Sequence, residues 1–309
     1  MERINRRDVL KGMAWAGGGG MVWSLVGGVP RGAALGSAQA AELKGALNFV
    51  QLSDTHVGFA KDANPDALGT ARQAVARINA LAERPAFVLH TGDVTHLSKP
   101  AEFDAAQQLL AEIAVGPVHC IPGEHDVLDD PPGALFRDRL SKGSLGDGWY
   151  SFDQGGAHFI GLVNVLAFGA TGQGQLGAEQ LAWVDKDLAG VADSTPVIVF
   201  AHIPLWSVYE PWGWSTADAA PLFAALRRFG SVTVLNGHIH QVIQKVEGNV
   251  AFHSAMSTAY PQPRPGDAPS PGPLKVPADR LTTLLGVREV TVSAGRSVQP
   301  VTDFSLAKG

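Results

Sequence analysis

Cysteine is almost absent from this 309-residue chain, in which Cys120 is the single example. One thiol excludes an intramolecular disulfide and a zinc cluster built on cysteines. Any metal site must therefore use histidine and carboxylate ligands. Cys120 itself lies in the apolar run 118–121 and is predicted to be a buried structural thiol.

Runs of basic residues are also missing outside the N-terminus, and the formal net charge is -5. This balance gives no sign of a nucleic-acid patch or an anionic-membrane surface. Internal repeats and a linker between two cores are absent as well. The chain is long enough for one large α/β core, so residues 41–309 are predicted to form a single domain.

The N-terminus has the character of a targeting segment. Arg6 and Arg7 precede a stretch, 12–30, that has no charged residue and contains seven glycines. Its length makes a membrane anchor one interpretation, but the glycines make it a poor permanent helix. Residues 38–40 supply a small-x-small cleavage signal.

Paired arginines before a weakly apolar, glycine-rich region resemble a bacterial twin-arginine export signal. Residues 1–40 are therefore interpreted as an export signal peptide that the export machinery recognises. The mature protein is expected to be periplasmic or secreted. A membrane-anchored form is the alternative if the signal is not cleaved.

Hydrophobic periodicity predicts alternating strands and helices along the mature chain. Helices are predicted over 66–84, 100–114, 178–188 and 216–229. Strands are predicted over 47–52, 86–90, 118–121, 149–152, 158–163, 197–201, 232–235, 242–246, 250–253, 284–292 and 298–304. The alternation favours a parallel sheet, and the strand-rich later part favours a second, more antiparallel sheet.

Residues 261–277 hold seven prolines and predict an ordered arm or a mobile flap rather than a helix or strand. The arm would either cover a pocket or mediate self-association, and the sequence leaves both open.

Five of the predicted strands end in residues that can bind a metal. In open α/β sheets the carboxyl ends of neighbouring strands meet at one edge, so these five ends are expected to converge. Imidazole and carboxylate together suit Mn, Fe, Zn, Co or Ni better than Ca or Mg. The strand-end motifs are Asp54-x-His56, Gly92-Asp93, Gly123-Glu124-His125-Asp126, His202 and Gly237-His238-x-His240.

Taken in this order, the five motifs resemble the calcineurin-like metallophosphoesterase family over about residues 46–255. The resemblance implies an α/β fold in which two mixed β-sheets pack as a sandwich flanked by helices. It also implies two divalent or trivalent transition-metal ions, with Mn, Fe or Zn expected, and a metal-bridging hydroxide that attacks phosphorus.

The same resemblance assigns roles to individual residues. Asp54, His56 and His240 would bind the first metal, His202 and His238 the second, and Asp93 would bridge both. His125 matches the catalytic histidine, which stabilises the transition state or helps to protonate the leaving oxygen. Asp126 would orient the His125 ring through a carboxylate–imidazole hydrogen bond.

Glu124 departs from the family, which usually has asparagine at this position as a ligand of the second metal. The glutamate either binds the metal directly or is displaced from it. If its negative charge acts at the site, it should repel dianionic phosphomonoesters and favour monoanionic diesters. A neutral change of ligand type and an inactive site are the two alternatives.

The expected function is an exported binuclear phosphoesterase, with a phosphodiesterase acting on a small phosphorylated substrate such as a nucleotide as the leading interpretation. The alternatives are a phosphomonoesterase or nucleotidase of the same fold, and a non-catalytic metal- or ligand-binding protein.

Several residues near the motifs have two open interpretations. The loop 205–214 contains three tryptophans and a tyrosine that would either stack a planar leaving group or pack the loop onto the domain. His96 is either a phosphate contact or a surface residue, Asn164 either touches the site or caps backbone, and His253 is either near the metals or in the core. The histidines at 90, 119 and 158 are interpreted as structural.

Overall fold

The computed structural model describes residues 21–26, 29–34, 46–293 and 295–307. Arg6, Arg7 and the predicted cleavage signal at 38–40 lie outside the described residues. The chain divides into two units between residues 45 and 46. In the first unit, strand β1 (Met21–Val26) pairs antiparallel with β2 (Val29–Ala34). Among the described residues, no helix combines the length and the apolar character needed to cross a membrane.

The second unit contains eleven strands, six α-helices and two short 3-10 helices among its described residues. The strands are β3 (Leu47–Leu52), β4 (Val88–His90), β5 (Val118–Cys120), β6 (Tyr150–Gln154), β7 (Ala157–Gly161), β8 (Val197–Ala201), β9 (Val232–Asn236), β10 (Gln244–Glu247), β11 (Val250–Ser254), β12 (Gly286–Val292) and β13 (Val301–Ser305). The helices are α1 (Ala67–Asn79), α2 (Pro100–Ala111), α3 (Ala134–Leu140), α4 (Ala178–Leu188), α5 (Ala220–Leu226) and α6 (Ala278–Leu284), with 3-10 helices at Glu124–Asp126 and Glu210–Trp212.

The strands form two mixed sheets, as the family resemblance implies. One has the order β13-β12-β3-β4-β5 and the other β10-β11-β9-β8-β7-β6. In the first sheet β3, β4 and β5 are parallel, whereas β12 and β13 join antiparallel. The second sheet is parallel from β11 to β7 and antiparallel only at its two edges. The expectation that the second sheet is the more antiparallel one is therefore wrong, because β7, β8 and β9 are linked through helices and run parallel.

The sandwich core lies between the sheets and follows from strand alternation. On β3, Phe49 faces the second sheet, and on β8 Ile198 and Phe200 face the first. Phe49 stacks on Phe87 with ring centroids 5.0 Å apart and meets Phe159 of β7 edge to face at 5.5 Å. Both sheets therefore contribute to one apolar layer.

Helices cover the outer face of each sheet. Val50 and Leu52 of β3 point the other way from Phe49 and pack with apolar residues of α1 and α2. Val197 and Val199 of β8 pack with residues of α4 and α5. Strands buried on both faces read as continuous apolar runs, which is why they could be found from the sequence.

Element ends account for most differences from the sequence prediction. Helix α1 begins after Asp66, whose side chain accepts a hydrogen bond from the Gly69 N–H, but it ends well before Pro85. Helix α5 is about half the predicted length and has Pro221 in its first turn. Helices α3 and α6 span seven residues each, too few to show a helical period. Residues 261–277 contain no helix or strand, as the prolines predict.

Candidate metal centre

Five strand ends converge at one end of the sandwich. The ends of β3, β4 and β5 come from one sheet, and those of β8 and β9 from the other. All seven residues predicted as ligands fall into overlapping groups whose ligand atoms lie within 4.8 Å of one another: Asp54, His56, Asp93, Glu124, His202, His238 and His240. The convergence expected from the strand-end motifs is therefore present in the fold.

Asp54, His56 and His240 form the first group, and all three are buried. The distance from Asp54 Oδ1 to His240 Nε2 is 3.2 Å, and the Nε2 atoms of His56 and His240 are 3.3 Å apart. Two imidazole nitrogens and a carboxylate oxygen so close together can share one cation.

Glu124, His202 and His238 form the second group. Glu124 Oε2 lies 2.9 Å from His202 Nε2, and Glu124 Oε1 lies 2.8 Å from His238 Nδ1. Oε2 and both nitrogens nevertheless have no hydrogen-bond partner of acceptable geometry. Buried polar atoms without partners are costly, so three such atoms crowded together fit a cation held between them. Glu124 thus lies within the group and is not displaced from it.

Asp93 lies between the two groups. Its Oδ2 is 3.4 Å from His56 Nε2 in the first group and 3.3 Å from His202 Nε2 in the second. Its Oδ1 accepts a hydrogen bond of 2.9 Å from the backbone N–H of His125. This position suits a carboxylate that bridges two cations, because it would offset their repulsion and set their spacing.

Backbone carbonyls fix the tautomers of two of the ligand rings. The Nδ1 of His202 lies 2.7 Å from the Thr91 carbonyl, and that of His240 lies 2.6 Å from the Tyr260 carbonyl. A carbonyl only accepts, so each Nδ1 carries the proton and Nε2 keeps its lone pair. The Nε2 atoms that point into the two groups are therefore in the form that binds metal.

The carboxylates in and beside the second group also favour a positive charge there. Burial alone lowers the pKa of His202, but Asp93 and Glu124 raise it well above its usual range. A place that stabilises a proton on a buried ring also stabilises a cation beside it. The nitrogen and oxygen ligands, their burial and their charge fit transition-metal ions better than Ca or Mg.

The ligand backbone is strained. Five of the seven residues have a positive φ, a region that is uncommon for residues other than glycine. The values run from 40° at His56 to 67° at His238. Such conformations cost of order 1–3 kcal/mol each and persist where the surrounding structure holds them. Here the chain turns sharply after β3, β4 and β9, so that the side chains leave the strand ends towards one point.

The predicted role of Asp126 is wrong. Its carboxylate accepts hydrogen bonds from the backbone N–H groups of Val94, Thr95 and Gly123 at 2.7 to 3.0 Å. It faces back towards the loop after β4 because the 3-10 helix Glu124–Asp126 turns it away from the His125 ring. Burial, with the charge of Asp93, raises the pKa of Asp126 to about 7. Asp126 therefore joins two site loops instead of orienting the histidine.

The His125 ring is positioned by His96. Nδ1 of His125 lies 2.6 Å from the His96 carbonyl, and the two rings stack with centroids 4.8 Å apart. His96 is buried, and its Nδ1 is 3.4 Å from Nδ1 of His56. The interpretation of His96 as a surface residue is therefore wrong. Sequence reasoning noted its nearness to Asp93 but not this stacking.

Tyr260 was missed by sequence reasoning. Its hydroxyl lies 3.3 Å from His56 Nε2, and its ring packs against those of His56 and His240. The signal that could have found it is an aromatic residue directly before the proline-rich segment. Gln262 in that segment donates a hydrogen bond to the His238 carbonyl, so the arm begins at the candidate metal centre.

The aromatic loop after β8 mainly packs onto the domain. Trp214 is fully buried, and Trp206 is buried against Phe252 with centroids 4.9 Å apart. Asn164 binds the backbone of Ile203 and so has the capping role.

Other histidines are structural, as predicted. His119 stacks on Phe152 at 4.3 Å, His90 lies 3.1 Å from the Thr55 hydroxyl, and His158 lies between two carboxylates. Cys120 is buried.

Comparisons with known proteins agree with this geometry. The family model described as "Calcineurin-like phosphoesterase" matches residues 47–242. A 3′,5′-cyclic-nucleotide phosphodiesterase of Nostoc sp. is 27% identical over 220 residues, which cover 69% of this chain and 79% of the relative. The serine/threonine-protein phosphatase CPPED1 of Mus musculus is 29% identical over 232 residues, which cover 67% of this chain and 74% of the relative. A dimetal phosphatase structure from Danio rerio shares the fold, with a TM-score of 0.55 and 17% identity over 84% of this chain and 99% of that chain.

Proposed function

Because this chain belongs to the calcineurin-like phosphoesterase family, a class of metal-dependent phosphoester hydrolases, we propose that it cleaves phosphodiesters with two bound transition-metal ions. The observation that carries the proposal is the position of Asp93. One of its oxygens lies within 3.4 Å of a ligand nitrogen in each of the two groups, which is the arrangement that a two-metal hydrolase needs.

Two ions bound in these groups would supply charge neutralisation at the phosphoryl oxygens and a water acidic enough to attack phosphorus near neutral pH. The protein's own residues do the rest. Asp54 and Asp93 each have one oxygen held by a backbone N–H, from His238 and His125 respectively, so both carboxylates are fixed before substrate binds.

His125 is placed to act on the leaving group. Its Nδ1 is bonded to the His96 carbonyl, and its ring lies 4.8 Å from that of His56, centroid to centroid. The ring therefore borders the first group of ligands, and Nε2 is the nitrogen left to donate a proton to the leaving oxygen. The neighbouring His96 ring limits its rotation, which keeps the donor oriented.

Glu124 favours diesters over monoesters. Together with Asp54 and Asp93, Glu124 gives the centre three negative charges. With two divalent ions bound, the net charge of the centre would be about +1, whereas a neutral asparagine at this position would leave about +2. A dianionic monoester gains more from positive charge than a monoanionic diester does. The lower net charge therefore reduces the advantage of the monoester.

The first test compares a bis-aryl and a mono-aryl phosphate as substrates of the Mn-loaded mature chain. We expect diester hydrolysis that a chelator abolishes and added Mn restores. A preference for the monoester would keep the enzyme class and refute the charge argument. Protein that holds two ions but turns over neither substrate would instead support a non-catalytic binding protein.

A matched pair of variants tests Glu124 itself. Glu124→Asn and Glu124→Asp are the same size and differ in charge. We expect the diester-to-monoester ratio of kcat/KM to fall by roughly 5- to 30-fold in Glu124→Asn, equivalent to ~1–2 kcal/mol of electrostatic discrimination, and to change much less in Glu124→Asp. An equal ratio in the two variants would contradict the role of charge.

A phosphomonoesterase is the second candidate function. The specific support is the similarity to a protein named as a serine/threonine-protein phosphatase, whereas the similarity to a protein named as a cyclic-nucleotide phosphodiesterase supports the diesterase and a nucleotide substrate. The same pair of aryl substrates separates the two.

We further propose that residues 1–40 are an export signal and that residues 41–309 act as a single periplasmic or secreted domain. The support is Arg6-Arg7 ahead of the glycine-rich stretch and the Ala38-Gln39-Ala40 signal. Mass spectrometry of the protein recovered from the periplasmic fraction tests this. A mature N-terminus near residue 41 is expected, and full-length protein in the membrane fraction would favour the anchored form.

A further inference from the structure

A groove of about 410 Å³ opens directly beside the candidate metal centre. Glu124 and His125 are among its lining residues. Its walls come from the loop that follows the 3-10 helix Glu124–Asp126 and from the loop that follows β7. Six apolar residues make up the rest of the lining: Val127, Leu128, Pro132, Val165, Leu166 and Phe168.

Two of these side chains are large and unusually exposed. Leu128 is 59% exposed and Phe168 is 49% exposed, whereas Val165 in the same lining is buried. The protein thus presents an apolar face to solvent at the edge of its catalytic groups. Exposed apolar surface next to a polar centre is a common sign of a ligand site.

The lining limits what the groove can recognise. Its polar side chains are Glu124 and His125, and both are already part of the candidate centre. A sugar or a nucleobase bound deep in the groove would leave its hydroxyl or amino groups without partners there, which costs binding energy. An aryl or alkyl group has no such groups and gains from burial.

The groove and the metal centre form one continuous site because Glu124 and His125 belong to both. A phosphoryl group held by the two ligand groups would have one of its ester arms directed past His125 and along the apolar walls. The volume of about 410 Å³ lies within the range of about 300–1,000 Å³ typical of small-molecule sites.

We propose that this groove is a subsite for an apolar ester arm, so that the substrate is a phosphoester of an aryl or short-chain alkyl alcohol. The proposal rests on the proposed function, since it places the phosphoryl group on the metals beside His125. Leu128 and Phe168 are the residues that determine this specificity.

Binding of methyl-, butyl- and hexylphosphonate to the Mn-loaded protein, measured by calorimetry, tests the subsite without requiring turnover. We expect Kd to fall by about two- to fourfold per added methylene, the upper value corresponding to ~0.8 kcal/mol per buried CH₂. Butylphosphonate has three more methylenes and should therefore bind roughly 8- to 60-fold more tightly than methylphosphonate. Equal affinities, or no binding by any of the three, would overturn the proposal.

Variants locate the alkyl chain in the groove. Leu128→Asn and Phe168→Ser are both expected to reduce the butyl-to-methyl affinity ratio to below about threefold. Leu145→Asn is the matched control, because Leu145 is 49% exposed and does not line the groove; it should keep the wild-type ratio. A steep series that both groove variants leave unchanged would place the chain elsewhere and refute the proposal.

Turnover of the bis-aryl phosphate, measured on the same preparations, separates this proposal from the proposed function. Turnover together with a flat phosphonate series would refute the subsite and leave the hydrolase standing. A steep series that the groove variants abolish, without turnover, would support the apolar site and refute the hydrolase.

Discussion

Replacing Gly237 by alanine should damage the candidate metal centre, although it adds only one methyl group. Gly237 follows β9 and precedes the two histidines of the His-x-His motif. A Cβ at this position would lie 2.3 Å from Ser53 Oγ, 2.7 Å from Asp54 Oδ2 and 3.0 Å from the Thr91 carbonyl oxygen. The first two distances are roughly 1 Å shorter than ordinary van der Waals contact.

The three crowded atoms have little freedom to move. The Ser53 hydroxyl donates to Asp54 and accepts from the Thr91 hydroxyl, and the Thr91 carbonyl holds the His202 ring. Relief of the overlap must therefore shift Asp54 or the His202 loop. Overpacking of this kind costs ~1–3 kcal/mol, and a misplacement of about 1 Å at a reactive centre can reduce activity ~100-fold.

The assay compares Gly237→Ala with Gly190→Ala, since a Cβ at Gly190 meets no atom within 4 Å. Calorimetric Mn affinity and bis-aryl phosphate turnover are measured for both variants and for wild type. We expect turnover to fall at least ~30-fold, with weaker Mn binding, in Gly237→Ala alone. Gly237→Ala that keeps both within twofold of wild type would refute the inference that close backbone approach sets the ligand geometry.

Two further predictions concern stability away from the ligands. Burial alone lowers the pKa of His158, but hydrogen bonds of 2.8 Å to Asp187 and Asp153 raise it. The protonated ring therefore stabilises the fold below about pH 6.5, the usual pKa of histidine. This contribution is lost as the pH rises through the raised pKa of the folded protein. His158→Gln should lower Tm by roughly 2–4 °C at pH 6, for a loss of ~1 kcal/mol in the free energy of unfolding, and by clearly less at pH 9. An equal fall in Tm at both pH values would contradict the stabilising role of the protonated His158 ring. Arg288 is fully buried with its guanidinium on Asp303, so Arg288→Met should cost ~3 kcal/mol and lower Tm by roughly 6–12 °C, with partial recovery in Arg288→Met/Asp303→Leu. Recovery is expected because the second change removes the uncompensated carboxylate, and a double variant no more stable than Arg288→Met would count against this pair.

The sequence located the ligand-bearing strand ends because parallel strands leave a simple pattern. The apolar runs that form β3, β4, β8 and β9 are each followed directly by polar residues able to bind a metal. The carboxyl ends of parallel strands meet at one edge of a sheet. The apolar segments did not predict whether the edge strands are parallel or antiparallel to their neighbours. The late strand β12 lies beside β3, and β13 lies beside β12, an arrangement set by long-range pairing that no local pattern encodes.

The roles of neighbouring residues were harder to predict. Asp126 follows His125 in the chain, but a single 3-10 turn directs its carboxylate to the amides of Val94 and Thr95 instead. Adjacency in sequence does not fix orientation. The His96–His125 stack and the contact of Tyr260 with His56 depend on loops that come together only in the folded chain.

The groove walls were missed for a related reason. Val165, Leu166 and Phe168 lie just beyond the predicted strand 158–163, and their apolar side chains gave no sign of an exposed surface. In the structure β7 ends at Gly161, and these three residues follow in a loop that lines the groove together with His125. An apolar residue predicts burial in sequence-based reasoning, and an exposed apolar wall is the case in which that rule fails.

The two-sheet origin of the ligands has a consequence for the order in which the molecule assembles. Asp54 and Asp93 belong to one sheet and His202 and His238 to the other, so neither half of the ligand set can chelate an ion fully until the sheets have docked. Uptake of the proposed ions would therefore be a late event in folding, and its contribution to stability would grow with the logarithm of the free-ion concentration. The rate of metal uptake during refolding should report the docking of the two sheets rather than the formation of either one.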